Sequence, residues 1–194
     1  MLALDGLAAL DDVAIEVADV MGLSMGGAVA QELALSAPKR VRRLVLAATF
    51  CGPRMSVPAL PWVAELFTPR PGLNRREQLR RMLPIYYSRA AIAEDADALI
   101  DLIDRGTRDT PPATLTRQGA AVRAFDTYER LPELRAPTLV VHGDEDAIIP
   151  VENAAILQAR LPDAKAHILP GVGHVVTTER PDQVASAVRD FLKG

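Results

Sequence analysis

The run Val17-Ala18-Asp19-Val20-Met21-Gly22-Leu23-Ser24-Met25-Gly26-Gly27-Ala28-Val29-Ala30 constrains this chain more than any other stretch. An apolar, strand-like segment breaks at Gly-x-Ser-x-Gly and resumes as a helix former. That pattern is the signature of a nucleophile elbow, a sharp strand-to-helix turn that holds a serine out of the sheet. Such a turn needs glycines beside the serine, and Gly22 and Gly26 are expected to sit where any side chain would collide with the neighbouring strand or helix. Ser24 is then a candidate nucleophile. The N–H groups that open the following helix lack intrahelical partners, so the N–H of Met25 is placed to bind a developing oxyanion. A plain strand-to-helix turn without chemistry is the alternative at this point.

The 194 residues, 49% of them hydrophobic, fit one soluble domain with a sizeable core. A net charge of −3, with basic residues scattered among acidic ones, gives no electrostatic case for nucleic acid or an anionic membrane surface. Cys51 is the single cysteine: it allows no internal disulfide and has no companion at metal-ligand spacing, which fits a reducing compartment; no metal and no cofactor is expected. Asp5 stands where a signal peptide needs a basic region, and no apolar run is long enough to span a bilayer. The expected compartment is the cytoplasm.

Taken in order, Leu4, Leu7, Leu10 and Val13 recur at helical spacing and predict an amphipathic helix before about Ala14. The elbow strand follows, then a helix from Met25 to about Ser36, ended by Pro38. Arg43 to Thr49 reads as a second buried strand, parallel to the first. Residues 51–136 change character: prolines at 53, 58, 61, 69, 71 and 84, most of the aromatics, and helical patterns such as Ile92 to Ile103 predict an inserted helical lid. Strand–helix alternation then returns, with strands at Thr138 to His142 and Lys165 to Leu169 and helices at Val151 to Leu161 and Pro181 to Leu192. The expected fold class is therefore α/β, with residues 1–50 and 137–194 as the core.

A serine hydroxyl needs a base within hydrogen-bond reach and a group that orients the base. His142-Gly143-Asp144-Glu145-Asp146 puts carboxylates directly after one buried strand, and Gly171-Val172-Gly173-His174 puts a histidine directly after the last. Both lie at strand C-terminal ends, the edge of an open parallel sheet where ligands bind. On spacing alone, Asp144 and Glu145 compete with Asp146 as orienter, and His142 and His167 compete with His174 as base.

These segments together resemble the α/β-hydrolase fold family, in its capped branch of enol-lactonase-like and esterase-like serine hydrolases. The resemblance runs through Gly22-Leu23-Ser24-Met25-Gly26-Gly27, Pro137 to Asp146 with Pro150, and Gly173-His174 with Glu179-Arg180-Pro181. It implies a mostly parallel sheet with flanking helices, Ser24 as nucleophile, Asp146 as acid, His174 as base and Met25 as one oxyanion donor. It implies a small-molecule ester or lactone as substrate, cleaved through an acyl-enzyme on Ser24, with carbon–carbon bond and perhydrolase chemistry still open. A serine rather than an aspartate at the elbow argues against haloalkane dehalogenase and epoxide hydrolase relatives.

Trp62, Tyr86, Tyr87 and Phe125 are candidate pocket residues or simply lid packing, and the Arg75, Arg76, Arg80, Arg81 cluster is a candidate carboxylate receptor or a solvated face. Cys51 reads as a small apolar filler. The family's first sheet half, whose loop supplies the second oxyanion donor, has no counterpart here. A partial fold is therefore expected, from a start at Met1 placed too late or from a fragment, with the elbow strand left at a sheet edge. A weakly active or non-catalytic remnant is the alternative reading.

Overall fold

The computed structural model describes residues 2–194; Met1, where a late start was expected, lies outside them. The chain folds as α1 (Leu2–Asp12), β1 (Ala18–Leu23), α2 (Met25–Ser36), β2 (Val41–Ala47), α3 (Val63–Phe67), α4 (Arg75–Tyr86), α5 (Arg89–Thr107), α6 (Pro112–Ala124), β3 (Thr138–Gly143), α7 (Glu152–Arg160), β4 (Ala164–Leu169), α8 (Val176–Glu179) and α9 (Pro181–Lys193). The strands form one parallel sheet in the order β1-β2-β3-β4. This is the partial α/β-hydrolase architecture that the motifs imply.

Strand periodicity builds two cores on that sheet. Leu44, Leu46 and Val140 face α2 and α7, where they pack with Leu33, Ala34, Ala154 and Leu157. The alternate residues Val45, Ala47, Leu139 and Val141 face α8 and α9, against Val176 and Val184. A sheet covered on both faces requires apolar residues at consecutive positions, and β2 and β3 supply them. β2 runs from Val41, two residues earlier than its expected start, and ends before Ala48, which adopts φ 43°.

The apolar stripe expected on α1 docks only in part, through Leu7 and the half-buried Leu10. Leu4 is 62% exposed and Val13 61% exposed, whereas Ala3 is buried and Leu7 packs on the core. Small residues decide the orientation: a Cβ on Gly6 would stand 3.1 Å from the Leu33 side chain, so this face lets α1 approach α2 more closely than the leucine stripe does.

Between β2 and β3 the chain is helical. Asn74 and Glu77 form a reciprocal capping box at the start of α4, and Ser88 caps α5 by accepting the Ala91 N–H at 3.2 Å. α5 breaks at Asp95, whose carboxylate accepts the Ala98 N–H and restarts the helix. Leu79, Leu83, Tyr87, Ala91 and Ile100 hold α4 and α5 together in a core of their own. The arginine cluster is spent here: Arg75 pairs with Asp104, Arg76 with Asp97 and Asp101, Arg80 with Asp97, and Arg81 donates to the carbonyls of Glu65, Leu66 and Thr68. Leu131, Leu134 and Ala136, at the end of the segment, pack into the sheet's core. Among the described residues no helix is long and apolar enough to cross a membrane.

Leu46 is fully buried at the centre of the larger core. Leu46→Ala is expected to lower the unfolding free energy by about 2–5 kcal/mol, read from urea midpoints of the two proteins.

Candidate active site

Parallel register aligns the strand ends: Leu23 pairs with Ala47, Ala47 with Val141, and Gly143 with Leu169. Ser24 follows β1 directly, Asp146 comes three residues after β3, and His174 five residues after β4. All three therefore emerge on one edge of the sheet.

Ser24 adopts φ 54° and ψ −119°, a left-handed conformation that an L-residue holds only when its surroundings over-determine it. Here they do. Its N–H donates to the Ala47 carbonyl at 2.9 Å, and its carbonyl accepts the N–H groups of Gly27 and Ala28 and the Thr49 hydroxyl, the last at 2.7 Å. Gly22 is required as expected, since a Cβ there would stand 2.2 Å from the Gly26 carbonyl oxygen. Gly26 itself is a correction: a Cβ there would meet no described atom within 4 Å. The crowded position is Gly27, whose Cβ would lie 2.5 Å from the Thr49 side chain. The turn thus demands glycine where α2 crosses β1 and β2.

Ser24 Oγ lies 2.9 Å from His174 Nε2, and His174 Nδ1 lies 2.7 Å from Asp146 Oδ2. A carboxylate can only accept, so Nδ1 carries the proton and the Nε2 lone pair faces the Ser24 hydroxyl. Asp146 Oδ1 accepts the N–H groups of Ile148 and Ile149, each at 2.9 Å. Burial pushes the Asp146 carboxyl up, but hydrogen bonds from His142 and His174, the His174 charge and the Ile149 amide outweigh it and hold the group below its ordinary value.

The competing residues separate by contact. Asp144 is exposed and accepts the Gly171 N–H at 2.6 Å, pinning the histidine loop, and Glu145 is exposed. His167 lies exposed on β4. His142 is fully buried; its Nε2 donates to the Ile149 carbonyl at 2.7 Å and lies 3.3 Å from Asp146 Oδ2. Cys51 is buried, and that burial pushes its thiol up.

Met25 opens α2 beside Ser24 and lines a cavity of about 640 Å³ with Ala28, Val29, Val122 and Phe125. Phe125 also stacks edge-on against Phe50 at 5.6 Å. Trp62 and Tyr86 do not line this cavity. Trp62 is exposed at the start of α3, and Tyr86 packs within the helical segment, edge-on to Phe67 at 6.4 Å. A larger cavity of about 870 Å³ lies at the opposite edge of the sheet, between β4 and α9, away from all three residues. Among the described residues no group of three or more His, Cys, Asp or Glu is arranged to hold a metal ion.

A parallel sheet with a serine on a strained turn after its first strand, and an acid and a histidine after its third and fourth, defines a class of fold. Residues 2–187 match the model of the alpha/beta hydrolase family, and the chain belongs to that family. Among curated proteins it is 31% identical over 175 residues to a poly(3-hydroxyalkanoate) depolymerase of Ectopseudomonas oleovorans, covering 90% of this chain and 60% of that one. It is 33% identical over 175 residues to a pimeloyl-[acyl-carrier protein] methyl ester esterase of Nitrosomonas europaea, covering 86% and 68%. The crystal structure of a hydrolase from Pseudomonas aeruginosa PA01 superposes with a TM-score of 0.81 at 30% identity, covering 99% of this chain and 71% of that one. The chain spans 60–65% of the length of the first curated relatives it matches.

Two measurements test this geometry. Gly27→Ala is expected to cost about 1–3 kcal/mol of stability, whereas Gly26→Ala is neutral or gains up to about 1 kcal/mol, read from urea midpoints. Because the folded Asp146 pKa is depressed, its contribution is fully present above the unfolded value of about 3.9 and is lost as pH falls through the lower folded value. The stability gap between the wild type and Asp146→Asn is therefore expected to hold level from pH 7 to about 5 and to close under stronger acid.

Proposed function

We propose that this chain carries the catalytic machinery of a serine hydrolase that cleaves a small-molecule ester or lactone through an acyl-enzyme on Ser24. The observation behind the reading is the unbroken series Ser24 Oγ–His174 Nε2 at 2.9 Å and His174 Nδ1–Asp146 Oδ2 at 2.7 Å.

Ser24 attacks the carbonyl carbon, and His174 takes the hydroxyl proton as the new C–O bond forms. The carbonyl oxygen gains negative charge, which the Met25 N–H at the start of α2 stabilises. His174 then gives its proton to the leaving alkoxide, and the C–O bond to the leaving group breaks. Water repeats the cycle, with His174 as base, and releases the acid. Asp146 keeps the imidazole in the required tautomer and offsets its charge while it is protonated. The helical segment at 51–136 acts as the lid over this edge. The esterase name of the Nitrosomonas europaea relative supports ester chemistry here. The depressed Asp146 pKa supports the same assignment, since an ionised orienter is needed at neutral pH.

Ser24→Ala is expected to abolish labelling by a fluorophosphonate probe. With a short p-nitrophenyl ester, Ser24→Ala and His174→Ala are each expected to lower kcat by roughly 10⁴-fold or more. Equal labelling of the wild type and Ser24→Ala, or of neither, sinks the catalytic reading and favours a non-catalytic remnant.

A further inference from the structure

Glu179 is a buried carboxylate that the proposed reaction does not use. It is 7% exposed and sits at the end of α8, five residues past His174. Burying a carboxylate is tolerated only where hydrogen-bond donors replace its water. Its donors come from two separate parts of the chain. Oε1 accepts the Ser88 hydroxyl at 2.5 Å and Oε2 accepts the Ser88 N–H at 3.2 Å, both from the cap of α5. Oε2 also accepts the N–H of Gly173, the residue before His174, at 3.1 Å.

The surrounding contacts leave little slack. The Val175 N–H, directly after His174, donates to the Tyr86 carbonyl at 3.0 Å. A Cβ on Gly173 would stand 2.8 Å from the backbone of Tyr87 and Ser88. The loop bearing His174 is thus pressed against the α4–α5 junction, with Glu179 bridging the two.

We infer that Glu179 is a positioning residue: its carboxylate spans from Ser88 to Gly173 and sets the height of the His174 imidazole over Ser24. This rests on His174 being the base. The required property is reach rather than charge. A glutamine keeps the reach: its oxygen accepts both N–H groups, and its amide donates to the Ser88 hydroxyl oxygen, whose own proton turns away. An aspartate keeps the charge but is one methylene too short to hold both ends.

The test compares Glu179→Gln and Glu179→Asp for p-nitrophenyl ester turnover, for cooperative thermal melting, and for the downfield proton resonance of His174 Nδ1–H, assigned by its loss in His174→Ala. Glu179→Asp is expected to lower kcat roughly 10- to 100-fold with KM within about twofold, and to shift the resonance, because a small misplacement of the base acts on the chemical step. Glu179→Gln is expected to keep kcat within about threefold and leave the resonance in place. If Glu179→Asp does not melt cooperatively, Ser88→Ala, which removes the hydroxyl link together with the α5 cap and leaves both N–H donors to Glu179 in place, is read instead with the same direction expected. Loss in the glutamine variant with retention in the aspartate variant, or no change in either, overturns the inference. If the wild type shows no turnover that depends on Ser24, the hydrolase reading fails while the resonance still decides the role of Glu179.

Discussion

A carboxylate removed from water must be met by fixed donors, and in this chain that requirement organises the candidate site around Asp146. Two donors are the amides of Ile148 and Ile149, so the turn after β3 wraps its own acid. A third is the His174 ring, carried there by the loop after β4. His142, the penultimate residue of β3, closes the knot by donating to the Ile149 carbonyl while its Nε2 lies beside Asp146. The imidazole is thereby presented to Ser24 with only one nitrogen free to accept. Charge burial, tautomer and side-chain orientation are one arrangement rather than three.

Ser24 carries the complementary stress. Its left-handed backbone is of order 1–3 kcal/mol less favourable than an ordinary turn, and such conformations persist where neighbours pin them. The pins are the Ala47 carbonyl, the N–H groups at the start of α2 and the Thr49 hydroxyl. Thr49 does this while its side chain fills the space that glycine leaves at position 27. β2 therefore supports the serine from both its last strand residue and the residues just beyond it.

Much of this was legible in the residues themselves, because the constraints behind it are local. A sharp turn leaves Gly-x-Ser-x-Gly, and a doubly covered strand leaves an unbroken apolar run such as Leu44 to Ala48. What escaped depends on partners distant in sequence. Thr49 matters through its contact with Gly27 and Ser24, and Glu179 through Ser88, neither of which spacing reveals. Gly26 looked obligatory by analogy with Gly22, yet the helix crosses the neighbouring strand one residue later. Leucine periodicity places Leu4 on the docking side of α1, yet the docked face runs through Ala3, Gly6 and Leu7, because size as well as hydrophobicity decides how closely two helices approach. The arginines on α4 form a row in the sequence, while the aspartates that occupy Arg75, Arg76 and Arg80 lie a helix away on α5.

β1 is the outermost strand on its side of the described sheet, with Met21 43% exposed. Within the described sheet β2 and β3 have a strand on each flank, whereas β1 pairs with β2 and β4 with β3. Ser24 hangs from β1 and β2 while Asp146 and His174 follow β3 and β4, so the 2.9 Å contact between Ser24 Oγ and His174 Nε2 ties the two sides of the sheet together across its edge.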